Sequence, residues 1–341
     1  MWLYMKMLIF PSVIAVLVGI SMYLWGGLTA FMLFILLATL ETTLSFDNAV
    51  VNAKVLSRMN RAWQQRFLTW GIPVAVFGTR LVLPVIIVAL AAALSPFAVL
   101  ELAIFDPVQY GEYLHNAHTS IAAFGSAFLL LVSLKYFFND RKTVHWIAII
   151  EKWLSRWGGI EAIEIALVLI ILLVASLFAP ASATAILTAG LFGIILFIVI
   201  QGIAQSFEAG AAHSADMSAK VGVALFIYLN ILDSAFSLDG IVAAFAVSSS
   251  VPIIVAGLGV GALFVRSFTV MLVRAKTLET LRYLEHGAHY AILGLAIAML
   301  AGIFVQVPEA ITGLIGFVFI GLAYWSSRRE LVRSRGLQME L

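Results

Sequence analysis

The sequence predicts an all-α, polytopic transmembrane helix bundle of about ten helices. Hydrophobic residues make up 63% of the 341 residues, charged residues make up only 11%, and the mean hydropathy of +1.07 lies far outside the range of soluble domains. Apolar runs of about 20 residues, long enough to span a bilayer, follow one another with short connections. The Lys and Arg residues are concentrated in alternate loops, as expected for a chain that crosses a membrane repeatedly.

The apolar runs predict ten spans in chain order, and no separate soluble domain fits between them. They cover approximately residues 8–25, 28–53, 68–93, 116–137, 160–178, 186–207, 221–247, 252–274, 288–306 and 309–326.

Lys and Arg residues give these spans an orientation. They fill the second, fourth and eighth loops and the C-terminal tail, whereas the third, fifth, seventh and ninth loops contain none. Only the sixth loop, with Lys220 against Glu208 and Asp216, is weakly determined. Both termini of this multi-pass membrane protein are therefore expected in the cytoplasm. Because the basic residues mark topology, the lipid bilayer and not nucleic acid is the expected partner.

An acidic motif occurs twice in the chain, once within ETTLSFDNAVV and once within DSAFSLDG. Glu41 and Asp47 map onto Asp233 and Asp239 with the same offset of 192 positions. The same kinds of landmark follow each copy in the same order. The first copy is followed by Arg80, HNAH at 115–118 and EAI at 161–163. The second copy is followed by Arg266, HGAH at 286–289 and EAI at 309–311. This order predicts two five-helix repeats, residues 1–182 and residues 183–341 with a basic cytoplasmic tail. An odd number of helices inverts the second copy, and many carriers bind their substrate where such repeats meet.

The repeated acids are predicted inside the hydrocarbon layer, where a carboxylate costs a few kcal/mol unless it meets a partner, a proton, a metal or water. Glu41 and Asp233 fall at comparable middle depths on antiparallel helices, with Asp47 nearer the cytoplasm and Asp239 nearer the outside. The two acids of one motif lie about 120° apart on a regular helix, so a break near Asn48 or Gly240 would help them converge.

Charge counting favours ion handling over a purely structural ion-pair network. Arg80 and Arg266 can neutralise only two of the four carboxylates, which leaves a formal charge near −2. One divalent cation or two protons would remove that charge, which predicts proton-coupled exchange. The carboxylates, the Asn48 amide and the Ser45 and Ser237 hydroxyls are hard oxygen donors suited to Mn²⁺, Mg²⁺ or Ca²⁺. No organic cofactor is expected, and the absence of cysteine excludes thiolate ligands.

The histidine pairs give a weaker signal. His118 and His289 each end an i, i+3 pair, and inversion would put one pair near each membrane surface. Polar residues at an interface are the simpler interpretation, and the functional alternative is a gate or proton relay.

These motifs resemble the TerC family of integral membrane proteins, most closely a subgroup long filed as a domain of unknown function. The resemblance covers nearly the whole chain, and its most specific element is the duplicated acidic motif. It implies export of Mn²⁺ across the bacterial inner membrane, with Glu41, Asp47, Asn48, Asp233 and Asp239 at the acidic motif positions. The copies differ, since the second has Asp233 for Glu41 and Gly240 for Asn48.

The favoured function is a non-enzymatic divalent-cation exporter, an antiporter that exchanges the cation for protons. One alternative is an intramembrane metalloenzyme, since a bound ion can activate water, but the sequence has no HExxH motif. The other is a non-transporting membrane subunit that assists secretion or a stress response. The sequence does not predict the oligomeric state.

Overall fold

The computed structural model describes residues 2–74, 78, 82–160, 162–210, 215–248 and 250–339. Helices account for 87% of the structure, and the described residues contain no strand, which confirms the all-α class. The helices are α1 (Trp2–Leu44), α2 (Phe46–Ser57), α3 (Arg61–Thr69), α4 (Gly71–Pro73), α5 (Leu83–Ala92), α6 (Pro96–Phe105), α7 (Pro107–Asn116), α8 (His118–Phe137), α9 (Ala148–Trp157), α10 (Ile163–Phe178), α11 (Ala183–Gly210), α12 (Ala215–Val247), α13 (Val251–Arg274), α14 (Thr277–Thr280), α15 (Leu284–Gly302) and α16 (Glu309–Met339).

Six helical segments in the described ranges are long and apolar enough to cross a membrane, so the protein is a multi-pass membrane protein. These segments are Met7–Thr43, His118–Phe137, Pro180–Gly202, Val251–Arg274, Leu284–Gly302 and Ile311–Arg333. Two shorter apolar segments, Ile163–Phe178 and Gly222–Ser234, coincide with two further predicted spans. The predicted span 68–93 is described only in part, as α4, α5 and their flanks.

The first two predicted spans lie in one long helix with a kink. Gly27 has φ 67° and ψ −160° inside α1, a backbone conformation that glycine adopts without the steric cost of a side chain. The kink falls between the predicted spans 8–25 and 28–53. The predicted third loop, in contrast, forms the helices α6 and α7. Ser95 is the N-cap of α6 and Asp106 is the N-cap of α7, because each side chain accepts a hydrogen bond from a main-chain N–H three residues later.

Helices α8 and α13 are largely enclosed by other helices, whereas α1, α11 and α16 carry large exposed apolar side chains that suit contact with lipid. Small residues allow α13 to approach α1 closely. A Cβ added at Gly257 would lie 2.6 Å from the Leu37 Cβ, and one added at Gly261 would lie 2.5 Å from the Glu41 Cβ. This close approach brings the first acidic motif against α13.

The two ends of the bundle differ in charge. At one end, Lys54 forms an ion pair of 2.7 Å with Glu285 in the first turn of α15, and Lys142 lies close by in the α8–α9 connection. We call this the basic end. At the opposite end, His118, the first residue of α8, lies beside Gly302, the last residue of α15. The predicted boundary between the repeats falls directly before α11, and the inverted relation of the repeats stays a prediction.

Candidate functional site

The first acidic motif spans a break between two helices. Helix α1 ends at Leu44 and α2 begins at Phe46, so Ser45 lies between Glu41 and Asp47. The Ser45 hydroxyl donates to the Glu41 carboxylate at 3.2 Å, and the Asp47 carboxylate accepts the Asn48 N–H at 2.9 Å. The prediction of a break at Asn48 is therefore wrong, because the Ser45 backbone leaves the helical geometry one turn earlier.

The second acidic motif lies in a continuous helix. Helix α12 runs from Ala215 to Val247 and includes Asp233, Asp239 and Gly240, so the predicted break at Gly240 is wrong. Gly240 has a different role in the packing. A Cβ added there would lie 3.6 Å from Oε2 of Glu41, so the glycine of the second motif faces the carboxylate of the first.

Glu41 lies near the middle of the bundle. Its Cβ and Cγ pack against Gly261, which is close to the middle of the 24-residue helix α13. The Glu41 residue is only 6% exposed. Burial at this depth requires polar partners for the carboxylate, and the Ser45 hydroxyl is one of them.

Asp233 contacts two polar side chains from other helices. The Asn52 amide donates to its Oδ1 at 3.3 Å, and Nη2 of Arg266 lies 3.9 Å from its Oδ2. The Arg266 guanidinium also donates to the Phe67 carbonyl at 2.9 Å and lies 4.1 Å from the centroid of the Phe67 ring. Arg266 therefore lies beside the second motif and is also hydrogen-bonded to α3.

Glu41 and Asp233 line one enclosed cavity near the middle of the bundle. The cavity measures about 10 Å³, close to the space that a single water molecule needs. Its other lining residues are Asn52, Phe67, Ala262, Val265 and Arg266. The structure thus brings together Glu41, Asp233 and Arg266, three of the residues selected from the sequence.

Four buried side-chain oxygens in or near the two acidic motifs have no hydrogen-bond partner within the described part of the chain, and of their residues only Asn52 lines this cavity. They are Oδ1 of Asn48, Oδ1 of Asn52 and Oγ of Ser237, and Oδ1 of Asn230 one turn before Asp233. An unpaired buried polar atom costs about 1–3 kcal/mol, so a ligand that these atoms could approach would relieve that cost. All of these atoms are oxygens, the donor type preferred by hard divalent cations.

Not every predicted residue joins the cavity. The Asp47 carboxylate lies against α16 instead, where a Cβ added at Gly316 would be 3.3 Å from its Oδ2. Arg80 and the side chain of Asp239 lie outside the described residues. Among the side chains that the structure describes, no three carboxylate or imidazole groups lie close enough to hold one ion. A cation at the cavity would therefore need amide, hydroxyl or main-chain oxygens beside Glu41 and Asp233.

The two histidine pairs lie at opposite ends of the bundle. His118 lines a large cavity at the end away from the basic residues. His289 is buried near the basic end, where its Nδ1 lies 2.8 Å from the Glu285 carbonyl and its ring stacks on Tyr136 at 3.7 Å. Neither histidine lines the small cavity, and their role as gates or proton relays stays a prediction.

Sequence reasoning did not select two groups that the structure makes prominent. Asn52 follows Asn48 by four residues, a spacing that places both amides on one helical face and could have been noticed. Glu151 is fully buried at the basic end, where it contacts Lys142 at 2.8 Å and Nδ1 of His286 at 3.0 Å. The Trp146 and Ile147 N–H groups also donate to it, each at 3.2 Å.

This arrangement can hold a small hard cation or protons at a buried, two-helix carboxylate site. Comparison with known proteins adds a family match but no described activity. A family model described as "Protein of unknown function (DUF475)" matches residues 46–334. No curated protein and no solved structure matches the chain.

Proposed function

The chain belongs to the DUF475 family of proteins of unknown function, and we propose that it carries a divalent cation across the membrane through the cavity shared by Glu41 and Asp233. Mn²⁺ is the proposed substrate and protons are the proposed counter-ion. The single observation that carries the proposal is the meeting of these carboxylates, from different helices, in one buried cavity near mid-depth.

The surrounding side chains support a cation as the ligand. Asn52 donates to Asp233 through its nitrogen, while its oxygen has no hydrogen-bond partner among the described groups. Ser237 and Asn48 add further buried oxygens without such partners in the same motifs. Carboxylate and amide oxygens bind Mn²⁺, Mg²⁺ and Ca²⁺ in preference to copper.

Proton exchange follows from the same carboxylates. A carboxylate that leaves its cation inside the membrane avoids the cost of burial by taking up a proton. Arg266 supplies one fixed positive charge beside Asp233, so the cation and the protons compete for the remaining negative charge. The motifs that resemble the TerC family support Mn²⁺ as the ion and export as the direction.

Flux through purified protein tests the proposal. In proteoliposomes, wild-type protein is expected to move Mn²⁺ down its gradient and to move protons in the opposite direction. Glu41→Gln and Asp233→Asn are expected to reduce the initial rate at least tenfold, because each amide keeps the size of the carboxylate and removes its charge. Glu279→Gln is the matched control, since Glu279 is exposed and contacts Lys276 at the surface.

Asp47→Ala and Asp239→Ala extend the test to the second acid of each motif. Loss of Mn²⁺ flux in these variants, with normal folding by circular dichroism, supports a path that uses all four acids. Wild-type rates in Glu41→Gln and Asp233→Asn would show that the cavity does not carry the ion. Absence of flux in the wild type would favour a non-transporting membrane protein.

A further inference from the structure

A second cavity opens at the end of the bundle opposite the basic end. It measures about 1080 Å³ and lies among α7, α8, α15 and the beginning of α16. Its polar lining includes Glu112, His115 and His118 on one side and Gln306 and Thr312 on the other. The cavity is therefore large, partly polar and close to the solution on that face.

This cavity differs from the groove between α1 and α13, which measures about 690 Å³ and is lined mainly by apolar side chains such as Val16, Phe31 and Phe264. The apolar groove faces the lipid side of α1, where large side chains are exposed. Lipid tails suit that groove. The carboxylate, imidazole and amide groups of the larger cavity suit water and ions instead.

Helix α16 connects the large cavity to the first acidic motif. Thr312 lines the cavity, and Gly316 lies four residues further along the same face of α16, a rise of about 6 Å. Gly316 faces the Asp47 carboxylate, since a Cβ added there would lie 3.3 Å from Oδ2. Thr312 in the cavity lining is therefore one helical turn from the glycine that faces Asp47.

Helix packing places that contact deep in the bundle. A Cβ added at Gly294 would overlap Ile315, the residue before Gly316, and Gly294 lies near the middle of α15. Asp47 therefore contacts α16 at about the mid-depth of α15. The cavity thus leads from the surface near His118 toward a buried carboxylate.

We propose that this cavity is the vestibule of the transport path, through which a hydrated divalent cation passes between the solution and Asp47. The inference rests on the proposed function. A cation with six waters occupies roughly 200 Å³ at about 30 Å³ per water, so the cavity admits it with its hydration shell.

The lining favours passage over retention. Glu112, the one carboxylate in the described lining, attracts cations electrostatically. The described side chains provide no cluster of three carboxylate or imidazole ligands in this cavity, so the ion keeps its waters and leaves readily. Tight binding would slow such a path.

The absence of cysteine makes the vestibule directly testable. Gln306→Cys, at an exposed lining position, and Thr312→Cys, at a partly buried one, are treated in proteoliposomes with a membrane-impermeant, cationic methanethiosulfonate reagent. Both thiols are expected to react from the same side, opposite to the side from which Lys276→Cys reacts. Modification is expected to reduce Mn²⁺ flux at least tenfold, because the fixed positive charge repels the cation.

Ser95→Cys is the matched control, since Ser95 is exposed directly before α6 and does not line the cavity. Its modification is expected to leave Mn²⁺ flux unchanged.

Undiminished flux after complete modification of both vestibule variants would overturn the vestibule while leaving the carrier intact. Modification of Thr312→Cys only from the side of Lys276→Cys would overturn it as well. Absence of Mn²⁺ flux in untreated wild-type protein would instead mark failure of the proposed function. If Thr312→Cys does not fold, the exposed Gln306→Cys decides the outcome alone.

Discussion

The Arg266 guanidinium lies 3.9 Å from the Asp233 carboxylate and donates to the Phe67 carbonyl at 2.9 Å. The buried Arg266 side chain therefore connects α13 with both the second acidic motif on α12 and the end of α3. Its removal affects the folded state as well as the site.

Replacing Arg266 by Met is expected to destabilise the protein by about 3 kcal/mol, because it leaves the buried Asp233 carboxylate without its cation. Thermal unfolding in detergent measures the effect. The exposed pair of Lys276 and Glu279 provides the control, and Lys276→Met is expected to change stability by less than about 0.5 kcal/mol. The double variant Arg266→Met with Asp233→Asn is expected to recover part of the loss. Equal stability of Arg266→Met and Lys276→Met would contradict this role of Arg266.

The contact between Glu41 and Gly261 predicts a strong effect of a single methyl group. A Cβ at position 261 would lie 2.5 Å from the Glu41 Cβ and 3.0 Å from the Ala38 carbonyl, so α1 and α13 must separate. Gly261→Ala is expected to cost about 1–3 kcal/mol and to reduce cation flux by displacing Glu41. Gly321→Ala is the matched control, since no atom lies within 4 Å of its added Cβ. If Gly261→Ala and Gly321→Ala both unfold at the wild-type temperature, the close contact between α1 and α13 at Gly261 does not limit stability.

The Glu151 cluster predicts a pH-dependent contribution to stability. Burial alone would raise the pKa of Glu151. The hydrogen bonds and charges of His286 and Lys142 together lower it by a larger amount, so the pKa falls from its ordinary 4.5 to about 2. A lowered folded-state pKa gives stability that is complete above the unfolded value and is lost as pH falls toward the folded value. The Glu151→Gln variant is therefore expected to unfold at a lower temperature than wild type near pH 7, and this gap is expected to narrow between about pH 4.5 and pH 3.

Unfolding temperatures of both proteins in detergent across that pH range test the expectation. Glu279→Gln, which removes an exposed carboxylate, is the control and should follow the wild type throughout. A gap between wild type and Glu151→Gln that stays constant down to pH 3 would show that the Glu151 charge is not its source.

Metal binding at the Glu41 and Asp233 site is expected to release protons and to weaken as pH falls. Titration calorimetry with Mn²⁺ in two buffers of different ionisation enthalpy measures this release as a difference in apparent heat. Asp233→Asn is expected to release fewer protons than the wild type, since one exchanging carboxylate is gone. Identical heats in both buffers would mean that no proton leaves.

The sequence predicted the class of fold and selected Glu41 and Asp233 for one site, because both inferences depend on spacing along helices. Apolar runs fix which segments lie in the membrane, and the common offset of the two motifs placed Glu41 and Asp233 at similar depth. Arg266 was selected because a buried carboxylate needs a cation. These inferences require only the rise per residue of a helix and the formal charges of the side chains.

Other features depend on rotation and close packing, which spacing does not specify. Asp47 faces Gly316 and not the small cavity, because the break at Ser45 reorients α2 relative to α1. Asn52 reaches Asp233 only because α2 and α12 pack in one particular register. Lys142 was interpreted as a loop charge that marks topology, yet it contacts the fully buried Glu151.

The small cavity beside Glu41 and Asp233, about 10 Å³ in volume, also has a bearing on selectivity. An ion that enters it in this conformation arrives nearly bare, so its passage depends on how readily it gives up water. Mg²⁺ dehydrates reluctantly and demands near-ideal octahedral geometry. On the proposed function, the energetic barrier to dehydration would therefore discriminate against Mg²⁺, even with oxygen donors that suit it chemically.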